Sequence, residues 1–228
     1  PYTTLFRSNR LLGVNVVRTD PETAVLVEVA DRIATITINR PERYNSLNYE
    51  AYEQLARRFD EANTDDDVRV VILTGTGRGF CAGQDLSDRS VAADEAPPDI
   101  GASIDLYYKP LILQIKRLPL PVVCAVNGVA AGAGVSVALA CDMVFAAQSA
   151  SFIQAFSKIG LIPDSGGTWF LPQRVGMARA MGLALLADKL PAEKAAEWGL
   201  IWEVVADDAF AARIDALAAQ LAAMPHAR

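Results

Sequence analysis

The sequence predicts an α/β fold in which buried strands alternate with helices. Residues 68–73 and 122–126 are continuous apolar runs, typical of strands that are buried on both faces. The second run leads through a glycine-rich turn into a helix of small residues at 133–140, and a third strand follows at 143–147. Because the order strand, turn and helix recurs, an α/β architecture is expected.

A hairpin and a helix are predicted before these strands. Residues 24–29 and 33–39 are rich in Val, Ile and Thr, and Asp31-Arg32 separates them. Ser46 or Asn48 is expected to cap a helix that runs to about residue 62, since both residue types favour that position.

Helices dominate the predicted C-terminal part. The elements expected there are helices at 168–174 and 177–187, a helix with Pro191 at its first position that ends near Trp198-Gly199, a strand at 201–205 and a helix at 208–223. Residues 85–104 form a loop rich in Pro, Asp and Ala, which is long enough to suggest a functional segment.

Composition excludes several classes of function. The 228 residues are 52% hydrophobic and carry a net charge of −6, with a pI near 4.9, which argues against nucleic-acid and polybasic membrane-surface partners. The single histidine, His226, makes a Ser-His-Asp triad, a Cys-His pair or a His-rich metal site improbable. Three cysteines without C-x-x-C spacing suggest a cytoplasmic protein without structural disulfides.

Two glycine-rich turns are candidates for a ligand site. Residues 75–86 and 127–134 each follow a buried strand, the position where open α/β folds bind ligands. Neither turn has the spacing of a P-loop or of a dinucleotide-binding motif. Tight packing of strands against helices is the alternative explanation for these glycines.

Five motifs occur in a fixed order along the chain: NRPERYNSL at 39–47, GFCAGQDL at 79–86, AVNGVAAGAG at 125–134, Cys141-Asp142, and GLIPDSGGT at 160–168. Together they resemble the signature segments of the crotonase (enoyl-CoA hydratase/isomerase) superfamily. The resemblance implies a spiral of ββα repeats and an acyl-CoA substrate. Because the CoA belongs to the substrate, no separate cofactor and no metal are expected.

The resemblance also implies an oxyanion hole of two backbone N–H groups, which fall here on Ala82 and Ala133. Such a pair stabilises the enolate of a thioester without a histidine or a metal ion. Cys81 adjoins the first donor and is interpreted as a packing residue, since no activating base is near it in sequence.

Acid and base groups vary within the family. Its two hydratase glutamates correspond to Ser136 and Phe156 here, so addition of water by that pair is not expected. Asp164 occupies the position at which some isomerases of the family carry a catalytic aspartate. In an apolar pocket beside Phe152, Ile162 and Trp169 its pKa would be raised. The alternative is a helix cap, because Asp164 precedes a predicted helix.

The substrate-binding residues that the resemblance implies are Arg43, Gln84, Asp85, Leu86 and Gly132. Arg43 matches a basic position near the CoA phosphates, with a solvated turn residue as the alternative. Gln84, Asp85 and Leu86 match the stretch that lines the adenine pocket, although aspartates such as Asp85 are more often structural. Gly132 lies in the second glycine-rich turn.

Four longer segments, 80–89, 156–169, 178–186 and 197–202, are similar to the isomerases of this family that convert 1,2-epoxyphenylacetyl-CoA to oxepin-CoA in phenylacetate catabolism. That activity is the predicted function, with Asp164 transferring the proton. The alternatives are an isomerase that converts 3-enoyl-CoA to 2-enoyl-CoA in fatty-acid oxidation and a catalytically silent acyl-CoA-binding homologue.

The resemblance further suggests how the chain is organised. Residues 1–8 are expected to be a non-native leader, 9–207 the crotonase core domain, and 208–228 the start of an incomplete C-terminal helical segment. The family is usually trimeric or a dimer of trimers, so a homotrimer or a dimer of trimers is expected if that segment is present. The loop 88–104 is expected to influence the choice of substrate.

Overall fold

A computed structural model describes residues 23–86 and 99–225. The expected leader at 1–8, part of the loop 88–104 and His226 lie outside these ranges. The larger sheet is ordered, from edge to edge, as β1 (Val25–Ala30), β2 (Ile33–Ile38), β3 (Val70–Gly75), β5 (Val122–Val126), β7 (Met143–Ala147) and β10 (Glu203–Val205).

Pairing in this sheet agrees with the predicted hairpin and strands. β1 and β2 are antiparallel, and every further neighbour pair in the sheet is parallel. β3 begins two residues later than predicted because the N–H of Val68 donates to the carbonyl of Asp65 in the turn that precedes it. The side chains of β3 and β5 are buried throughout, as their continuous apolar sequences indicate.

A second, smaller sheet contains β4 (Gly79–Cys81), β6 (Val129–Ala131), β8 (Ser151–Ile153) and β9 (Leu190–Pro191). The sequence predicted only turns at β4 and β6, and this is corrected: each glycine-rich segment contains a short strand. Three residues are too few to show an alternating apolar pattern, so pairing across the sheet defines these strands. The successive pairs β3–β4, β5–β6 and β7–β8 produce the expected repeat of two strands and a helical segment.

The helices are α1 (Tyr49–Thr64), α2 (Ile100–Ser103), α3 (Lys109–Arg117), α4 (Ala133–Ala140), α5 (Gly167–Val175), α6 (Met177–Leu186), α7 (Ala192–Glu197) and α8 (Phe210–Ala223). A π-helical turn, Ile104–Tyr108, joins α2 to α3, and 3₁₀ helices lie at Pro41–Arg43 and Ala155–Ile159. Helix α2 corrects the predicted extent of the loop, which included residues 100–104.

Helix caps explain two of the boundaries. Asn48, one of the two predicted caps, accepts a hydrogen bond from the N–H of Ala51 at 2.9 Å and begins α1. Pro191 is the cap residue of α7 rather than its first helical residue, because it pairs with Ser151 in the smaller sheet.

The core contains residues from all parts of the described chain. Every residue of α4 is buried, which explains why that helix consists of small and apolar side chains. Helix α8 packs against β2, β3 and β7, and its buried side chains join the same core. None of the helices in the described ranges combines the length and the apolar character that a membrane span requires.

Candidate active site

Two glycines allow the glycine-rich turns to approach each other closely. A Cβ atom on Gly83, whose φ is +90°, would lie 2.7 Å from the carbonyl oxygen of Ala131 and 3.3 Å from the nitrogen of Ala133. A Cβ atom on Gly134 would lie 2.2 Å from the carbonyl oxygen of Cys81. These contacts leave no space for a side chain, so the residues after β4 lie directly against the start of α4.

Two asparagines, Asn45, which is buried, and Asn127, which is half-buried, hold the first turn in shape. Asn45, at φ +57°, donates from Nδ2 to the carbonyls of Thr76 and Gly79 at 2.9 and 2.7 Å, and its Oδ1 accepts from the N–H of Arg40 at 2.8 Å. Asn127 also bonds the turn, and its Nδ2 donates to Gly79 at 3.3 Å. Both asparagines occur in the sequence motifs, but their structural roles were not predicted.

The predicted role of Ala82 as an oxyanion donor is wrong. Its N–H donates to the carbonyl oxygen of Tyr44 at 3.0 Å, so this group helps to attach the Arg40–Leu47 segment to the turn. Ala82 borders the cavity, but its amide proton already takes part in the hydrogen bond to Tyr44.

The backbone of Gln84 is the other candidate for a donor in this turn. Leu47 pairs with this stretch, since its N–H donates to Gly83 at 2.7 Å and its carbonyl accepts from the N–H of Asp85 at 2.9 Å. Because successive amides of an extended chain point in opposite directions, the N–H of Gln84 is directed away from Leu47. Gln84 lines the cavity on that other side.

Ala133 occupies the position that the sequence predicted for a donor. It is the first residue of α4, after Gly132 as cap with φ +51°, and the first N–H groups of a helix have no partner within the helix. The N–H of Gly132 itself donates to Ile153 at 2.9 Å. Ala133 and Gln84 border the same cavity of about 170 Å³.

Asp164 lines this cavity and is half-buried. Its Oδ1 accepts a hydrogen bond from the hydroxyl of Ser165 at 3.0 Å, and its carbonyl accepts from the N–H of Gly167 at 2.7 Å. Asp164 is not the cap residue that the alternative required, because Gly166 occupies that position at the start of α5. The carboxylate is therefore held at the cavity wall.

The apolar neighbours predicted for Asp164 were wrong. Ile162 and Trp169 are 77% and 66% exposed, and Phe152 is buried in the core. The residues that line the cavity are Ala82, Gly83, Gln84, Leu86, Gly132, Ala133, Ala155, Phe156, Lys158, Ile159, Leu161 and Asp164. Several of these lie in the 3₁₀ helix and turn after β8, which the sequence did not predict to be an element.

The implied CoA-binding residues have different surroundings. Asp85 is buried and forms an ion pair with Arg40 at 2.9 Å, so its side chain stabilises the loops, and its expected role as a direct ligand is corrected. Leu86 is exposed at the cavity rim, and Gly132 is part of the wall. Arg43 is exposed and lies outside the cavity wall. Lys158, which lines the cavity, was missed although it lies within a quoted segment.

Cys81 behaves as the packing residue that the sequence suggested. Burial raises the pKa of its thiol to about 12, although a hydrogen bond with the backbone of Gly83 acts in the opposite direction. A neutral buried thiol is a poor nucleophile. The three cysteines are free and buried, and no metal-binding group of three or more His, Cys, Asp or Glu occurs in the ranges that the structure covers.

Comparison with known proteins assigns the family. The family model for enoyl-CoA hydratase/isomerase matches residues 28–228. The chain is 54% identical to the 1,2-epoxyphenylacetyl-CoA isomerase of Escherichia coli (strain K12), over 88% of this chain and 77% of the relative. It is 49% identical to a Rhodobacter capsulatus protein named "Probable enoyl-CoA hydratase", over 88% of this chain and 76% of that protein.

Solved structures agree with this match. The crystal structure of an enoyl-CoA hydratase from Mycobacterium avium subsp. paratuberculosis K-10 has a TM-score of 0.80 and 40% identity, and the match covers 89% of this chain and 76% of that one. The sequence motifs, the ββα architecture and these similarities lead to the same result: the chain belongs to the enoyl-CoA hydratase/isomerase family, the crotonase superfamily.

Proposed function

We propose that this protein is an acyl-CoA isomerase that converts 1,2-epoxyphenylacetyl-CoA to oxepin-CoA in phenylacetate catabolism. The observation that carries this proposal is the position of Asp164. Among the described residues that line the cavity, Asp164 is the one with an acidic side chain. The backbone of Gln84 and the start of α4 border the same cavity. The similarity to the E. coli isomerase supports the choice of substrate.

The backbone N–H groups of Gln84 and Ala133 hold the thioester oxygen in this mechanism. Loss of a proton from the α-carbon places negative charge on that oxygen, and two donors in fixed positions stabilise it more in the transition state than in the ground state. The start of α4 adds the positive end of a helix dipole on the Ala133 side.

Asp164 transfers the proton. The carbon–carbon bond between the two epoxide carbons opens, and its electrons form a ring double bond, so that the fused rings become the seven-membered oxepin ring. The carboxylate of Asp164 takes a proton from the α-carbon, and the resulting carboxylic acid returns it to a ring carbon at the far end of the conjugated system. The substrate therefore changes its bonding but neither gains nor loses atoms. The hydroxyl of Ser165, 3.0 Å from Oδ1, restricts the carboxyl to one orientation.

Water addition is not part of the proposed reaction. Ser136 and Phe156 occupy the two positions that correspond to the hydratase glutamates, and neither side chain is a carboxylate. Ser136 is fully buried, and Phe156 forms part of the cavity wall. We therefore expect negligible hydration of crotonyl-CoA.

CoA is carried by the substrate, so the proposal requires no additional cofactor. Leu86, Lys158 and Ile159 are exposed residues at the rim of the cavity. The ammonium group of Lys158 supplies positive charge for the phosphates of CoA there, and Arg43 is a further candidate for that contact on the exposed 3₁₀ turn.

A panel of three esters tests the proposal on the 228-residue chain. Isomerisation of 1,2-epoxyphenylacetyl-CoA is the expected activity, whereas faster conversion of a 3-enoyl-CoA ester would favour the alternative isomerase, and rapid hydration of crotonyl-CoA would contradict the mechanism. Asp164→Asn should lower kcat by about 10²–10⁴-fold and leave binding of phenylacetyl-CoA nearly intact.

Retained turnover by Asp164→Asn would exclude the role assigned to this carboxylate. Binding of phenylacetyl-CoA by the unmodified chain without turnover of any ester would instead support the catalytically silent homologue. Matching circular dichroism spectra of the variant and the unmodified protein serve as the control for folding.

Assembly as a homotrimer or a dimer of trimers in the cytoplasm completes the proposal. Exposed apolar side chains on α5 and α6 support contact with further copies: Trp169, Met177, Met181, Leu185 and Leu186. Light scattering should give a mass of at least three chains, and a stable monomer would contradict the assembly.

A further inference from the structure

Ser165 adopts a backbone conformation that its residue type disfavours. Its φ is +50°, in the left-handed region, and Gly166 follows in the same region with φ +82°. An L-residue in this region brings its Cβ atom close to the following carbonyl oxygen, so such a turn favours glycine. The motif contains two glycines directly after Ser165. A serine at this position costs stability, and backbone strain of this kind is concentrated at functional sites.

The side chain of Ser165 contacts the carboxyl group of Asp164. Ser165 is 5% exposed, and its Oγ donates a hydrogen bond to Oδ1 of Asp164 at 3.0 Å. A hydrogen bond inside a protein is electrostatically stronger than the same bond in water. Because an ionised oxygen is the better acceptor, this bond favours the carboxylate over the carboxylic acid. The carboxylate is the form of Asp164 that accepts a proton.

Two further hydrogen bonds of this turn hold the backbone of Asp164. Its carbonyl oxygen accepts from the N–H of Gly167 at 2.7 Å and from the hydroxyl of Ser136 at 3.1 Å. Both bonds end on the main chain, so they leave rotation about the side-chain bonds of Asp164 unrestricted. The Ser165 hydroxyl restricts that rotation, because it bonds the carboxyl oxygen itself.

We infer that Ser165 is a positioning residue for the isomerisation: its hydroxyl keeps the Asp164 carboxylate ionised and directed at the α-carbon, although its own backbone is strained. This inference rests on the proposed function and adds to it the residue that controls the base. Ser165 is not among the described residues that line the cavity, so it acts through Asp164. Strain at Ser165 lowers stability, whereas its hydroxyl raises the rate of proton transfer.

Two variants separate the hydroxyl from the strain. Ser165→Ala removes the hydroxyl and keeps a Cβ atom at φ +50°, whereas Ser165→Gly removes both. We expect kcat for 1,2-epoxyphenylacetyl-CoA to fall about 10–100-fold in both variants with little change in KM, because the lost bond affects the chemical step. Ser165→Gly should nevertheless unfold about 3 °C higher than Ser165→Ala, since glycine relieves the strain.

A purely structural role for Ser165 predicts a different order of activities. In that case kcat would follow stability, and Ser165→Gly would regain the kcat of the unmodified chain. That result, or an unchanged kcat in Ser165→Ala, would overturn the inference. Arg32 offers the matched control for strain, because it is exposed and has φ +67° in the turn between β1 and β2. Arg32→Gly should unfold at a higher temperature than Arg32→Ala, and both should keep the kcat of the unmodified chain.

Proton exchange provides a readout that does not require isomerisation. Phenylacetyl-CoA has no epoxide, but its α-carbon can lose a proton to Asp164. After the carboxyl group exchanges that proton with D₂O, the α-carbon regains a deuteron. Mass spectrometry should show that the unmodified chain incorporates deuterium and that Ser165→Ala does so about 10–100-fold more slowly.

The two assays separate this inference from the proposed function. If the unmodified chain exchanges the α-proton but isomerises no ester, and Ser165→Ala exchanges it more slowly, the proposed function fails and the inference stands. If the chain isomerises the epoxide and both Ser165 variants match it in both assays, the proposed function stands and the inference fails. Neither exchange nor isomerisation by the unmodified chain would overturn both.

Discussion

The hydroxyl of Ser136 donates a hydrogen bond to the backbone carbonyl of Asp164, with 3.1 Å between the oxygens. Ser136 is fully buried in α4, the helix whose first residue is the proposed donor Ala133. One helix therefore supports both the proposed oxyanion donor and the turn that carries the carboxylate. Ser136, which corresponds to a glutamate of the hydratases, thus supports the turn that carries Asp164.

Ser136→Ala should loosen the turn at Asp164 without removing any reacting group. We expect kcat to fall about 10-fold with little change in KM, because misplacement of the proton carrier affects the chemical step, and the free energy of unfolding to fall by about 1 kcal/mol. Ser151→Ala is the matched control: that buried hydroxyl has no partner in the described part of the chain, so stability should be retained. Unchanged kcat in Ser136→Ala would contradict the supporting role.

Gly83→Ala should disrupt the pair of backbone donors. The new Cβ would lie 2.7 Å from the Ala131 oxygen, and the φ of +90° disfavours a side chain, so stability should fall by about 3 kcal/mol. Displacement of Gln84 should lower kcat/KM by about 10²-fold or more. In the control Gly182→Ala nothing lies within 4 Å of the new Cβ, and helix propensity predicts about 0.5–1 kcal/mol of stabilisation. Full activity of Gly83→Ala would exclude this geometry.

Asn45→Ala should be more destabilising than loss of an ordinary helix cap. Three hydrogen bonds of about 1 kcal/mol each are lost at a residue with φ +57°, so the free energy of unfolding should fall by about 3–4 kcal/mol. Asn48→Ala removes one cap bond, and about 1 kcal/mol is expected. Urea denaturation measures both values. Equal effects of the two variants would show that the bonds of Asn45 contribute little.

Alkaline pH should lower the free energy of unfolding, because the unfolded Cys81 thiol ionises more readily than the folded one. The folded thiol has a pKa of about 12, whereas an unfolded thiol titrates near 8.5. The folded state therefore binds more protons between these values, and stability decreases as the pH rises above about 9. The burial of Cys124 acts in the same direction. Cys81→Ala should consequently lose stability less steeply, by about 1.4 kcal/mol per pH unit. Parallel curves for both proteins from pH 9 to 11 would contradict this assignment.

Long apolar elements were predictable because their patterns are local. β5, β7 and α4 have the bounds that the sequence predicted, and α1 begins at one of the two expected caps. The three-residue strands β4 and β6 were not predictable, since their amide partners are more than 20 residues away along the chain. Residues that depend on such pairing were misassigned for the same reason.

In the candidate site, too, local sequence patterns were predictable, whereas features that depend on long-range pairing were not. Motif spacing was sufficient to select Ala133 and Asp164 as candidates, and the structure places both at the wall of one cavity. It did not distinguish Ala82 from Gln84 as the candidate donor, because the two residues lie two positions apart in one extended segment. That choice depends on which N–H faces Tyr44 and which faces the cavity, and only the pairing of Leu47 with this segment decides it.

By itself, the sequence determined that this is an α/β protein of the enoyl-CoA hydratase/isomerase family with few options for acid–base chemistry, since residue identity and order are enough for both conclusions. Tertiary structure alone decided the direction of each amide in the first glycine-rich turn, the pairing of Asp85 with Arg40, and the hydrogen bond from Ser136 to the backbone of Asp164. These features arise from contacts between segments that are distant in the chain, where small differences in backbone orientation decide which groups meet the substrate.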